Sequence, residues 1–148
     1  MPRESRLFVK TSLVAIVVAF GAGGTMAIMK ALGWGFPDVW ATEHAHIAFV
    51  GWLVNLVIGI AWWMLPLNRE RFPSTAGRYP PNAPYVVWWL LNAGLCLRVV
   101  SEPYLALGIV PRAALIVASC AQALAIVVFA VTVWARVRGP SHPAKGVR

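Results

Sequence analysis

The chain has 148 residues, of which 59% are hydrophobic and only 12% are charged, and it carries a formal net charge of +8. Soluble domains contain about 25% charged residues, and a chain of this size still exposes much of its surface. The composition therefore indicates a protein whose partner is the lipid bilayer. The basic residues lie between apolar runs and do not form one face, which argues against nucleic-acid binding.

Four apolar runs follow one another along the chain, and each is near the roughly 20 residues that a helix needs to cross a bilayer. We expect an all-α integral membrane protein with one four-transmembrane-helix bundle over residues 1–138 and a flexible basic tail at 139–148. The first run starts like a signal peptide, but it is longer than the apolar core of such peptides. The predicted helices cover about residues 7–34, 44–67, 85–107 and 113–135.

The basic residues between the runs predict the orientation of the helices. They cluster before the first run, between the second and third, and after the fourth. The other two connections balance their basic residues with acidic ones. Because Lys and Arg favour the cytoplasmic side, we expect both termini and the central loop there. The clusters comprise Arg3, Arg6 and Lys10; Arg69, Arg71 and Arg78; and Arg136, Arg138, Lys145 and Arg148.

Polar residues inside a membrane are costly, so each is a functional hypothesis. The second run begins with two histidines, His44 and His46. They lie about 200° apart on a regular helix, so they cannot share one metal ion unless the helix begins between them. His44 shares its face with small residues, whereas His46 lies deeper beside bulky apolar ones. The choice of ligand stays open, as does a role for both as polar caps near the head groups.

Arg98 is the basic residue inside the third run. It lies roughly 7–8 Å before the Pro103 end at 1.5 Å per residue, at the level where the second run begins. An arginine at that depth needs a partner. Glu43 or Glu102 would make a structural ion pair, whereas a bound carboxylate such as a haem propionate would suit the guanidinium bidentately.

Three stretches together resemble a known family. A glycine-bearing first run, then HAHIAFVGW at 44–52 and WWMLPL at 62–67, resembles the start of subunit I in the haem–copper oxidase superfamily. It is also similar to the NnrS proteins of nitric-oxide metabolism, whose arginine-bearing helix resembles LLNAGLCLRVVSEP at 90–103. In both groups a histidine near the outer end of such a helix binds haem iron. The resemblance implies a haem cofactor, with His44 or His46 on the iron and Arg98 in the cofactor site.

The chain also departs from that family, because it has three histidines in all and the relatives have many more helices. It is therefore not expected to be a complete oxidase or reductase. We expect a haem-binding protein of the bacterial inner membrane, acting in electron transfer or in respiration with nitric oxide or oxygen. Its partner would be a second copy, since C2 dimers are the commonest assemblies, or a larger respiratory membrane complex.

Two other functions stay open at this point. A cofactor-free accessory or assembly subunit would keep the fold and tolerate substitution of both histidines. A small transporter or channel is less favoured, because no acidic residue lies deep in any run. Met26 and Met29 approach the outer level of the histidines and fit either core packing or axial ligation of haem.

Overall fold

The computed structural model describes residues 1–69, 72–134, 136 and 137. Within those residues the protein is helical and has no strand. Its elements are α1 (Arg3–Ala31), α2 (Asp38–His46), a π-helical segment (Ile47–Val54), α3 (Asn55–Met64), a short 3₁₀ turn (Pro73–Thr75), α4 (Ala83–Ser101), a 3₁₀ segment (Glu102–Leu107) and α5 (Ile109–Trp134). The tail predicted at 139–148 lies outside the described residues.

Four helices in the described part are long and apolar enough to cross a membrane: Arg3–Ala31, Asp38–Met64, Ala83–Leu107 and Ile109–Trp134. This confirms the predicted number of candidate spans and the all-helical class. The cytoplasmic position of the termini and the bacterial inner membrane stay predictions.

The second span begins at Asp38, earlier than the predicted residue 44. Pro37 precedes it in an extended conformation, and Asp38 in the first turn complements the positive end of the helix dipole. Hydropathy misses this start, because the first turns contain Asp38, Thr42 and Glu43. As a result both histidines lie well inside one continuous helix.

The helices form two hairpins. α1 packs along α2, the π-helical segment and α3, and α4 packs along α5. The hairpins meet at the end of the bundle that carries the first turns of α1, which we call the termini end. There Trp62 contacts Phe8, Tyr79 and Phe129, with ring centroids 5.1, 5.6 and 5.5 Å away. We call the opposite end, where His44 lies, the histidine end.

A pair of asparagines joins the hairpins between these ends. The Asn55 side-chain amide donates to Asn92 Oδ1 at 3.0 Å, and the Asn92 amide donates back to Asn55 Oδ1 at 3.1 Å. Asn55 also donates to the carbonyls of Val50 and Gly51 in the π-helical segment, at 2.9 and 3.1 Å. π-Helical turns are rare and often occur near functional sites, and this one connects the histidines to the buried asparagine.

Candidate functional site

His44 points from α2 toward α1, where it packs against Gly23. A Cβ atom built on Gly23 would lie 2.9 Å from His44 Cε1, closer than carbon atoms approach without displacement. Glycine at this position therefore lets the imidazole ring lie directly against the helix backbone. The Nδ1 atom of His44 is buried and has no hydrogen-bond partner among the described residues.

His46 lies on another side of the helix and has a partner within it. Its Nδ1 is 2.9 Å from the carbonyl oxygen of Thr42, one turn earlier, and its side chain is partly exposed. The two histidines therefore differ in a way that the sequence left open. The His44 ring faces α1 and its Nδ1 has no partner among the described residues. The His46 ring instead bonds to the Thr42 carbonyl of its own helix.

A cleft of ≈ 330 Å³ lies beside His44, between α1, α2 and the end of α4. Its walls are mainly apolar, and Met26 lines it together with His44, whereas Met29 does not. Ligand sites of small molecules span roughly 300–1,000 Å³, so this cleft is at the lower end of that range. Its lining residues are Ala22, Thr25, Met26, Trp40, Glu43, His44, Ile47, Val99 and Pro103.

Arg98 forms an ion pair with a carboxylate of the same chain. Its Nη2 lies 2.7 Å from Glu102 Oε2, one helical turn later, so the ion pair that the sequence offered as one alternative is present. Arg98 also lines a second cavity of ≈ 440 Å³ beside α5, which Gln122 lines too. The guanidinium therefore does not line the His44 cleft, although it lies at the same end of the bundle.

Glu43 is a buried acidic residue at the histidine end. Its side chain is buried, with 6% exposed, and it lines the His44 cleft. It lies beside Glu102 and within electrostatic reach of Arg98, but neither of its oxygens has a hydrogen-bond donor among the described residues. Glu43 and Glu102 thus set two carboxyl groups against the single guanidinium of Arg98.

The described residues contain no group of three or more His, Cys, Asp or Glu side chains that could hold a metal ion. That finding concerns sites built from protein ligands alone. A haem supplies four nitrogen ligands of its own and takes only one or two from the protein, so a single imidazole such as that of His44 is enough.

The structure adds two features that sequence reasoning missed. Gly23 is one of several glycines in the first run, and nothing in the sequence pattern marks it as the one beneath His44. Trp40 lines the cleft although it precedes the predicted helix start. Its proximity to Pro37, which begins the helix early, is the signal that could have placed it in the span.

Comparison with family models, with curated proteins and with solved structures found no match to this chain. The resemblance to haem–copper oxidase subunit I and to NnrS proteins therefore stays a prediction carried by the short motifs.

Proposed function

We propose that this chain is a membrane haem-binding protein in which His44 binds the iron, acting in electron transfer or in respiration with nitric oxide or oxygen. The observation that carries the proposal is the inward imidazole of His44, which rests on Gly23 and has an unpartnered, buried Nδ1. A buried polar atom without a partner is uncommon and calls for an explanation. Haem binding would engage this imidazole, because imidazole is a common axial ligand of haem.

The residues of the cleft fit part of such a cofactor. His44 offers an imidazole, Met26 offers a thioether, and the walls around them are apolar. When bound, the iron would supply reversible one-electron chemistry or an open position for a small gas. A macrocycle needs more room than ≈ 330 Å³, so the cofactor would also extend beyond the cleft toward lipid or another chain. In the expected dimer or larger respiratory complex, a neighbouring chain would cover that part of the cofactor.

The carboxyl groups of Glu43 and Glu102 would compete with the propionates of a haem for the positive charge of Arg98. Arg98 already pairs with Glu102 at 2.7 Å, so a propionate would compete with that carboxylate for the guanidinium. Glu43 adds a second carboxyl group on the cleft wall. In this proposal His44, which rests on Gly23, therefore holds the haem mainly through its bond to the iron. Arg98 stays paired with Glu102 at the same end of the bundle.

The test compares His44→Ala with His46→Ala, which removes an equivalent ring from the same helix. Each protein is purified in mild detergent from haem-replete cells, and absorption spectra are recorded oxidised and reduced. We expect a Soret band in the wild type and in His46→Ala and its loss in His44→Ala, with unchanged thermal unfolding of haem-free samples as the folding control. A colourless wild-type protein, or equal loss in both variants, would overturn the proposal.

A second candidate function is a cofactor-free accessory or assembly subunit of a respiratory membrane complex. The closed ion pair of Arg98 and Glu102 favours it, because this partly buried arginine needs no ligand to balance its charge. It predicts a colourless protein that co-purifies with other membrane subunits at constant stoichiometry, with both histidine variants retaining that association.

A further inference from the structure

A third cavity, with a different chemistry, lies at the termini end, at the opposite end of the bundle from His44. It has a volume of ≈ 520 Å³ and is lined by the exit of α3, residues 62–67, together with Arg78 and Arg136. Two guanidinium groups thus line one cavity at the level where all four candidate spans begin or end. No part of the proposed haem function uses this cavity.

Arg136 is the deepest of its charged groups, with 1% of its surface exposed. It donates from Nε to Pro66 O at 3.0 Å, from Nη1 to Trp62 O at 3.2 Å, and from Nη2 to Leu65 O. These carbonyls belong to the end of α3, where helix carbonyls lack partners within the helix. Arginine has five N–H donors, so two remain after these three bonds.

No carboxylate among the described residues forms a salt bridge with Arg136. The described residues contain one salt bridge, between Arg98 and Glu102 at the other end of the bundle. Carbonyl dipoles and the Tyr79 ring, 5.8 Å from the guanidinium carbon, offset the positive charge only in part. Burial accordingly lowers the pKa of Arg136 below its ordinary value, as expected for a charge taken out of water without a counter-ion.

Trp62 contributes an unsatisfied donor to the same region. It lines the cavity, is 1% exposed, and its indole Nε1 has no hydrogen-bond partner among the described residues. The contacts with Phe8, Tyr79 and Phe129 fix the ring, so it cannot easily turn toward another acceptor. A buried donor left unpaired costs about 1–3 kcal/mol, which an acceptor in the cavity would recover.

Arg78 completes the set from the loop before α4. It is exposed and has no ion-pair partner among the residues that the structure describes. The nearby acidic residue Glu4 does not line the cavity and accepts instead from the Tyr79 hydroxyl, at 3.5 Å. The cavity therefore offers two positive charges to a ligand that accepts hydrogen bonds, and the Trp62 that lines it carries an unsatisfied N–H donor.

We infer that this cavity binds a phosphate group. Guanidinium forks match phosphate oxygens bidentately, and basic pockets between membrane helices bind phospholipid head groups. The ends of the spans lie at head-group level if the four helices cross a bilayer. The phosphate could belong to an anionic phospholipid or be free in solution, and both sources present the same acceptor oxygens to Arg78, Arg136 and Trp62.

The experiment uses the full chain, delipidated in a neutral detergent. Its thermal unfolding is measured with phosphatidylglycerol, with phosphatidylcholine, and with inorganic phosphate against chloride at equal ionic strength. We expect phosphatidylglycerol to raise the midpoint in a saturable way and phosphatidylcholine to have little effect. A rise with inorganic phosphate would identify free phosphate as a source, and its absence would restrict the site to the lipid head group.

Two substitutions test the assignment without removing the structural bonds of Arg136. Arg78→Gln and Trp62→Phe should each weaken binding of phosphatidylglycerol about tenfold, the loss of one charge-assisted or buried hydrogen bond. Arg112→Gln is the matched control, since it removes the same charge from an exposed residue at the histidine end. No stabilisation by either phosphate source, or equal weakening by Arg78→Gln and Arg112→Gln, would overturn the inference.

Discussion

The contact between His44 and Gly23 sets the orientation of the His44 ring, which differs from that of His46. Helical geometry separates the two rings by about 200°, so one was bound to face inward once the helix ran through both. Gly23 is where the neighbouring helix admits the ring, because its missing Cβ leaves room for the imidazole. Gly24, one residue later, faces open space with no atom within 4 Å, which makes the pair a natural comparison.

Gly23→Ala should therefore displace His44, whereas Gly24→Ala should not. The new Cβ at 2.9 Å from His44 Cε1 forces a shift that costs about 1–3 kcal/mol, and Gly24→Ala should be neutral or stabilising by up to about 1 kcal/mol. Thermal unfolding and the haem-to-protein ratio of both variants check this. Identical behaviour of the two would show that the ring does not depend on Gly23.

The raised pKa of Tyr79, at the termini end, predicts that the stability of the fold depends on pH. Burial, followed by the negative charge of Glu4, raises the pKa of Tyr79 to about 12, against about 10 in an unfolded chain. The neutral phenol is the form that the folded state favours. Its stabilising contribution is therefore complete below pH 10 and is lost as the pH rises toward 12, because the unfolded chain releases the proton first.

Tyr79→Phe should remove that part of the pH dependence while keeping the ring contact with Trp62. The measurement is the unfolding midpoint of both proteins as a function of pH, taken as the difference between them so that the nearby Arg78 and Arg136 and other titrating groups cancel. Parallel curves through this range would contradict the prediction.

At the scale of elements, the π-helical segment and the asparagine pair form one unit. Asn55 is fully buried, and its amide bonds to two carbonyls of that segment and to Asn92. In the sequence both asparagines are polar groups inside apolar runs. The structure pairs them with each other, which favours a role in joining the two hairpins.

Asn55→Ala and Asn92→Ala should therefore be strongly non-additive. Each single substitution leaves the Oδ1 of its partner without the donor it has in the pair and should cost about 1–2 kcal/mol, above the ~0.6 kcal/mol average for bonds between membrane helices. The double variant should cost little more than either single one. Reversible unfolding in mixed micelles gives the coupling energy, with Gln122→Ala as control because the Gln122 Nε2 has no partner among the described residues. Additive losses would show that the two amides act independently.

At the scale of the whole molecule, Arg136 ties the end of the second hairpin to the first. It follows α5 and donates to three carbonyls at the exit of α3, while the same exit packs on Phe8 through Trp62. The sequence counted Arg136 as a topology signal, one of several basic residues after the last run. Arg136 is buried because the end of α3 lies beside the end of α5. A local sequence pattern cannot predict this arrangement of two distant segments.

Arg136→Ala should destabilise the whole bundle by about 3 kcal/mol, as expected for a buried network losing several hydrogen bonds and leaving carbonyls unpaired. Arg112→Ala, with the exposed arginine of the histidine end, should change the stability by less than about 0.5 kcal/mol. Unfolding in detergent and limited proteolysis of the loop between α3 and α4 check this. A loss below 1 kcal/mol for Arg136→Ala would show that the hairpins are held together elsewhere.

The number and approximate limits of the candidate spans came from the sequence, because length and hydrophobicity are properties of each segment alone. The same holds for the angle between His44 and His46, which follows from helix geometry. Only the tertiary structure decided that His44 lies against Gly23, that Glu43 is buried beside Glu102 with no hydrogen-bond donor among the described residues, and that Arg78 and Arg136 share a cavity with Trp62. Most of these contacts join residues far apart in the chain, and they form only where neighbouring helices fix the depth and rotation of each side chain.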